Sequence, residues 1–267
     1  MSVRGEAVIG SEGQAGVQSI EVGMHVLVTL ADHGGEMALG ELAAAAGAAP
    51  AKVHRYLVSL IRSGFVEQDP RSGRYALSSQ ALRVGLVALG RLDVMEVATT
   101  ALYGLRDRID ETVLMAVWGA HGATIVRWLE ASRPVTVNVR AGSIMPLISS
   151  ATGQVFGAFG KPALVEPVLE RELAEVGRRG VAVTRAEADA LFQRVRARGL
   201  GHVAGHMLAG VHALGAPVFD HEGQLALVLT ALGPNGGFDD AEEGPIATVL
   251  RDAARSLSAR LGYLGPL

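Results

Sequence analysis

The sequence predicts an α+β fold in two parts, on three observations. Its 267 residues suit two domains of ordinary size better than one. Apolar residues make up 49% and charged residues only 19%, which supplies packed cores and excludes a disordered or fibrous chain. Apolar spacing is largely helical up to Asp110 and then, from Glu111, alternates as strands do between further amphipathic helices. The absence of cysteine excludes a disulfide scaffold, a thiol nucleophile and a zinc site built on thiolates, and is compatible with a reducing compartment. With 24 Lys plus Arg against 27 Asp plus Glu, the net charge of −3 argues against a uniformly basic nucleic-acid binder. Net charge cannot see a basic stripe on one face.

Residues 1–15 read as a disordered tail. Gly10 to Gly16 is polar and Gly-rich, and the stretch before it lacks the apolar core of a signal peptide, so a cytoplasmic protein is expected. From Gln18 to Ala31, Ile20, Met24, Leu27 and Leu30 recur at helical spacing, and Gly34-Gly35 ends the run. Leu39 to Ala46 is a short alanine-rich helix stopped by Gly47. A third helix runs from Pro50, which suits a first turn where a missing N–H costs nothing, to about Ser63, and Gly64 closes it. Phe65 to Gln68 and Arg74 to Leu77 flank the breaker-rich Asp69-Pro70-Arg71-Ser72-Gly73 as a β-hairpin.

Ala81 to about Asp110 is helical, with Leu82, Leu86 and Leu89 on one side. Thr112 to Trp118 and Thr124 to Leu129 read as strands joined at Gly119 to Gly122, and Val135 to Val139 as another strand. Pro162 to about Arg179 and Arg185 to Arg198 are amphipathic helices. Ala216 to Asp220 and Leu225 to Leu232 are strands joined at His221 to Gly223, and Glu242 to Leu261 is a closing helix. Ala141 to Gly160 and Gly199 to Phe219 contain no Asp, Glu, Lys or Arg and reach membrane-spanning length. Their prolines, glycines, histidines and hydroxyl residues exclude a lipid-facing helix, so buried strands and pocket loops are expected there and no membrane partner.

The third helix carries the sharpest signal. Val53, Tyr56, Leu57, Leu60 and Ile61 form one apolar face that must be buried, while Lys52, Arg55, Ser59 and Arg62 form a second face flanked by His54. Such a helix packs on its neighbours and presents cations outward, as recognition in a DNA major groove requires. Arg71 and Arg74 lie on the hairpin, where a wing meets phosphate or the minor groove. A lone basic helix is ordinarily a solvated face. Here a short helix, a Gly turn, a basic helix and a two-stranded wing coincide.

Val17 to Gly23, Leu39-Gly40-Glu41-Leu42-Ala43, Val53-His54-Arg55-Tyr56-Leu57, Gly64-Phe65-Val66 and Gly73-Arg74-Tyr75-Ala76-Leu77 resemble the winged helix-turn-helix of the IclR family of bacterial transcriptional regulators. Glu111-Thr112-Val113-Leu114, Arg198-Gly199, Gly210-Val211, Ala216 to Asp220 and Gly233-Pro234 resemble landmarks of that family's C-terminal domain, so the likeness covers the chain from about residue 16. The resemblance implies a DNA-binding domain at 16–78, a linker helix at 79–97 (about Ser79 to Asp93 at its helical core) and a GAF-like effector-binding and oligomerisation domain at 98–267. It further implies dimers, often paired into tetramers, on double-stranded operator DNA, with repression as the default and neighbouring catabolic genes as targets. Ala51 and Lys52 stand where the family often has small hydroxyl residues, which puts operator preference in question more than DNA binding itself.

For the effector, the resemblance implies a wall containing Met145, Ala151, Thr152, Gly153, Val203, Ala213, Thr230 and Leu232. Members that bind small polar acids supply an acidic residue, a cysteine and two serines, where this chain has Val203, Ala213, Thr230 and Leu232. A buried carboxylate without matching donors loses on the order of several kcal/mol, which disfavours a very polar oxo-acid. A small aromatic or largely apolar effector fits, anchored by Thr152, Thr230 and the amides near Gly153. The alternative is that these side chains fill a core and no effector binds.

Competing chemistry is thin. His202 and His206 have an H-x-x-x-H spacing, and with His212 they leave open a metal-responsive sensor, but no Glu follows the first histidine and the surrounding glycines break a helix. Gly160-Lys161 lacks the rest of a phosphate loop, and no serine sits in a G-x-S-x-G elbow. Asp239, Asp240, Glu242 and Glu243 precede a helix, where its dipole accounts for them. No catalytic residue, metal or cofactor is assigned. The rival to an effector-controlled regulator is an enzyme or metal sensor in the C-terminal domain, with the winged helix as an interaction module.

Overall fold

A computed structural model describes residues 16–91, 93–132, 139–178, 183–205 and 210–265. The chain divides into two compact units, Met1–Arg91 and Leu92–Leu267.

In the first unit α1 (Gln18–His33), α2 (Leu39–Ala45) and α3 (Pro50–Arg62) precede the hairpin β1 (Val66–Gln68) and β2 (Tyr75–Leu77), and α4 (Ser79–Gly90) follows. Leu27 and Leu30, Leu42, Val53 and Leu57 come together from the three first helices and close on Val66 and Tyr75 of the hairpin. The Glu41 carboxylate accepts the Ala38 N–H at 2.8 Å, which starts α2. The wing pairs Val66 with Leu77 and Gln68 with Tyr75, and a bridge between Met37 and Tyr75 ties it to the α1–α2 connection. Ile61, expected on the buried face of α3, is exposed, and Tyr56 is only half-buried, so the buried stripe is narrower than the apolar one.

The helical run expected from Ala81 to Asp110 is two helices. α4 stops at Gly90, and α5 (Val94–Ile109) starts at Asp93, whose carboxylate accepts the N–H groups of Met95 and Glu96 at 2.9 and 3.1 Å. Asp93, three residues before Glu96, is an N-cap signal that outweighs the continuing apolar spacing.

The second unit holds α5, β3 (Thr112–Gly119), β4 (Gly122–Leu129), α6 (Ala151–Phe159), α7 (Pro162–Arg178), α8 (Arg185–Arg198), β5 (Gly201–Ala204), β6 (Val211–Phe219), β7 (Leu225–Pro234) and α9 (Pro245–Arg260). Its strands form one antiparallel sheet in the order β4-β3-β7-β6-β5. Because side chains alternate along a strand, β3, β4, β6 and β7 each feed two cores. Met115, Leu227, Leu229 and Ala231 pack with α5 and α9 on one face. Leu114, Ala116, Val228 and Leu232 pack with α6, α7 and α8 on the other.

Ala141 to Gly160, read as strands and loops, contains α6, whose residues Ala151 to Ala158 are all buried. A helix buried all round shows no amphipathic period, so spacing cannot reveal it. The expected strand Val135 to Val139 lies outside the described residues except for Val139, which is not in a strand. Gly199 to Phe219 holds β5 and β6, with Met207 to Ala209 and His206 outside the described residues. Among the described residues no helix is long and apolar enough to cross a membrane.

Candidate functional site

Val53, Leu57 and Leu60 anchor α3 in the core of the first unit, which leaves Lys52, His54, Arg55, Ser59 and Arg62 exposed. Lys52, Arg55, Arg62 and Arg71 make no ion pair among the described residues. Arg71 sits at the wing tip, where the Asp69 carboxylate accepts the N–H groups of Arg71 and Ser72, both at 2.7 Å. Those bonds hold the Asp69 carboxyl below its ordinary range and fix the turn. Arg74 is differently placed: its guanidinium donates to Glu41 at 2.7 Å and to the Glu36 carbonyl at 3.1 Å. Grouped with the outward cations in the sequence, it is the one of them that also joins the wing to α2.

In the second unit, the sheet and α6 enclose a cavity of about 40 Å³. Met145, Ala151, Thr152, Val203, Ala213, Thr230 and Leu232 line it. Gly153, the eighth residue expected there, does not. Its position is one of close packing, since a Cβ would lie 1.8 Å from the Pro146 carbonyl oxygen. Its N–H, expected as a ligand anchor, is already bonded to Ser150 Oγ at 2.9 Å. Gly215 does a similar service, for a Cβ there would meet the Ala151 carbonyl oxygen at 2.9 Å and lift the start of α6 off the sheet.

Leu114, Trp128, Val139, Ser149, Ser150 and Val211 complete the wall. Leu114 is there because it pairs with Thr230 across β3 and β7. That register is long-range and leaves no local trace in the sequence. Ser150 had a local signal, because it is the N-cap of α6.

The polar groups of the cavity are few. Thr152 Oγ1 and Thr230 Oγ1 lie 2.9 Å apart and bond to each other. Each hydroxyl has one proton, so the pair keeps one O–H for a third partner. Ser150 has committed its one proton, donating to the Pro146 carbonyl at 2.6 Å, and accepts from the Gly153 N–H. Ser149 Oγ and the N–H groups of Ala151 and Thr152 have no partner among the described residues. The cavity therefore offers an apolar wall and, at one end, the N-terminus of α6 with two amides and two hydroxyls, an arrangement that favours one anionic or hydrogen-bonding head.

The segment before α6 is stitched in place. Glu172 of α7 accepts the N–H groups of Leu147 and Ile148 at 2.7 and 3.0 Å, one on each carboxylate oxygen. Burial pushes the Glu172 carboxyl up, against the opposing pull of those two amides. Gln154 donates to the Ile148 carbonyl at 3.1 Å and accepts from the His202 N–H at 3.1 Å.

His202 and His212 share one carboxylate. Asp240 Oδ2 lies 2.8 Å from His202 Nε2 and 2.8 Å from His212 Nδ1, so one carboxylate ties β5, β6 and the start of the α9 segment together. Burial pushes the Asp240 carboxyl up, but the two histidine hydrogen bonds outweigh it and hold it below the ordinary range. Asp240 and Glu242, attributed to a helix dipole in the sequence, thus have specific partners, Glu242 pairing with Arg198. His206 lies outside the described residues, and among these no group of three His, Asp or Glu is placed to hold a metal ion.

A helical head with a basic helix and a wing, followed by a sheet domain that encloses an apolar cavity, defines a two-domain DNA-binding transcriptional regulator. Residues 19–70 match the IclR helix-turn-helix domain, and residues 86–259 match the bacterial transcriptional regulator IclR C-terminal domain. The chain belongs to the IclR family, whose members are regulators and not enzymes. It is similar to the crystal structure of Pseudomonas aeruginosa HmgR, with 44% identity and a TM-score of 0.83 over 94% of this chain and 100% of that one. It is 28% identical to the DNA-binding transcriptional repressor YiaJ of Escherichia coli (strain K12) over 259 residues, covering 94% of this chain and 90% of the relative. An IclR homologue from Microbacterium hydrocarbonoxydans, solved in complex with 4-hydroxybenzoate, shares the fold at 20% identity and a TM-score of 0.52, over 91% of this chain and 98% of the other.

Proposed function

We propose that the chain is a cytoplasmic repressor whose hold on operator DNA is controlled by a small aromatic acid in the cavity of the second unit. Its apolar wall with one helix N-terminus carries this reading. A ring lies against Leu114, Trp128, Val203 and Leu232, and the acid meets the Ala151 and Thr152 amides and the Ser149 hydroxyl. That the Microbacterium homologue binds 4-hydroxybenzoate, and that YiaJ is a repressor, agree with the reading. At about 40 Å³ the cavity is far below the ~150 Å³ of an apolar cavity that takes benzene, so a ring enters only as the wall expands. Neighbouring catabolic genes are the natural targets for a protein that senses such an acid.

Lys52, His54, Arg55, Ser59 and Arg62 form the DNA face of α3, and Arg71 extends it to the wing. Arg74 holds the wing in place for that contact. Self-association, as a dimer or a pair of dimers, uses the exposed apolar stripes Ile20, Met24 and Val28 of α1 and Leu82, Leu86 and Val87 of α4.

The test is fluorescence anisotropy on promoter DNA beside the chain's own gene. Affinity falls with salt by about 0.9 log-log units for each phosphate neutralised. Arg55→Ala weakens binding by about 1–3 kcal/mol, the range of one specific base contact. Arg74→Ala leaves the salt slope unchanged, where loss of a phosphate contact would lower it by about 0.9 unit, and instead lowers the melting temperature of the first unit. A flat salt response, or an unchanged affinity in Arg55→Ala, would sink the DNA assignment.

A further inference from the structure

Met145 lines the effector cavity and also a second, outer pocket of about 330 Å³ bounded by His121, Ile144, Val168, Arg171 and Glu175. It is 7% exposed and stands as the shared wall of the two spaces. The backbone around it is fixed on both sides. Met145 N–H donates to the Ala123 carbonyl at 2.7 Å, and Ile144 bridges to Thr124. Beyond it, the Pro146 carbonyl accepts Ser150 Oγ and abuts Gly153, while Glu172 holds the next two amides. The Met145 side chain is unbranched, with three rotatable bonds, and fills space without specifying it. Side-chain rotation, and not a moving loop, is therefore the least costly way to join the spaces.

Resting on the effector reading above, the geometry points to the outer pocket as a second effector subsite, opened by Met145, that takes an uncharged substituent extending from the aromatic ring. Electrostatics sets the orientation. The N-terminus of α6 attracts the acid inside, whereas the outer pocket carries Glu172 and Glu175 against Arg171, which is itself bonded to the Pro167 carbonyl at 3.2 Å. His121 is its other polar side chain, and its apolar surface comes from Ile144, Met145, Pro146 and Val168. An alkyl or ether chain fits there and a second carboxylate does not. Met145 then selects effectors by length.

The experiment titrates the full-length protein by calorimetry with 4-hydroxybenzoate, 4-butoxybenzoate and terephthalate. In Met145→Ala the two spaces are joined, and affinity for 4-butoxybenzoate rises at least tenfold relative to 4-hydroxybenzoate. Met145→Leu, which restores a wall, keeps the wild-type ratio within about threefold. Should Met145→Ala not fold, Val168→Trp fills the outer pocket from α7 and lowers affinity for 4-butoxybenzoate at least tenfold while leaving 4-hydroxybenzoate within threefold. Terephthalate binds at least tenfold more weakly than 4-hydroxybenzoate to the wild type. An unchanged ratio of the two benzoates in the folded variants overturns the subsite and leaves the effector reading standing. If none of the three acids binds the wild type or any variant, the effector reading fails and the subsite with it.

Discussion

Replacing the paired threonines of the cavity with valine, singly and together, tests how its polar groups are arranged. Thr152 and Thr230 are 1% and 2% exposed, and their hydroxyls lie 2.9 Å apart, so removing one leaves the other buried without this partner. Valine has nearly the same shape, which isolates the hydroxyl from packing. Each single change leaves a buried hydroxyl without its partner and is expected to cost about 1–3 kcal/mol. In Thr152→Val/Thr230→Val both groups are apolar, and the cost falls close to zero because no orphan remains. The cycle should give a coupling equal to the sum of the two single costs, about 2–6 kcal/mol, well above the ~0.5 kcal/mol scatter of independent sites. For a unit of this size, each kcal/mol moves the melting temperature by about 2–4 °C. The assay is tryptophan fluorescence on thermal or urea unfolding. It reads the second unit alone, because the chain has 2 tryptophans, Trp118 and Trp128, both in that unit. Additive single costs would refute the reasoning and show that each hydroxyl has a separate partner. The same variants probe function: Thr230→Val should blunt effector release more than it changes bare DNA affinity, and equal loss of both would indicate misfolding.

Two further outcomes follow from the geometry. Burial raises the Glu172 carboxyl, so the folded state holds this proton to a higher pH than the unfolded state does, whose value is about 4.3. Its contribution to stability is complete below that pH and is lost as pH rises through the folded value, so the stability difference between wild type and Glu172→Gln should shrink as pH rises from about 4.3. A difference that grows instead would mean that the two amide bonds dominate burial. On α4, Leu82 and Leu86 are 63% and 57% exposed. Leu86→Glu should raise the self-dissociation constant, measured by sedimentation, by at least about 100-fold from lost burial of roughly 1.5–3 kcal/mol per side chain on each of two copies. Unchanged association with an unchanged circular dichroism spectrum would remove α4 from the interface.

The elements legible in the sequence are those with one wet face. α1, α3, α7 and α8 announce themselves because an amphipathic helix must alternate with period 3.6 between core and solvent. The two-stranded wing is marked by its breakers, and β3, β4 and β7 by alternation or β-rich runs. α6 is not legible, because a helix buried on all sides has no wet face to mark its period. The break at Gly90 is legible in Asp93 and Glu96, which carry a cap signal, although the apolar spacing runs on through it. Arg74 shows the limit of charge patterning: the sequence groups it with four other cations, but its partner Glu41 stands 33 residues earlier, and only folding brings the two together.

By itself the sequence determined the α+β class, the two-part organisation, the apolar and cationic faces of α3, and the replacement of polar groups by Val203, Ala213 and Leu232 in the effector domain. These are matters of local spacing and residue chemistry, which need no knowledge of distant neighbours. The tertiary structure decided which cations are free and which are spent, that Thr152 and Thr230 bond to each other, that Gly153 serves packing, and that Met145 divides two spaces. Gly153 meets Pro146 within its own segment, through a turn that spacing does not reveal, whereas the others depend on sheet register or on contact between residues far apart in the chain, and a side chain's hydrogen-bonding capacity is committed only when such a partner arrives.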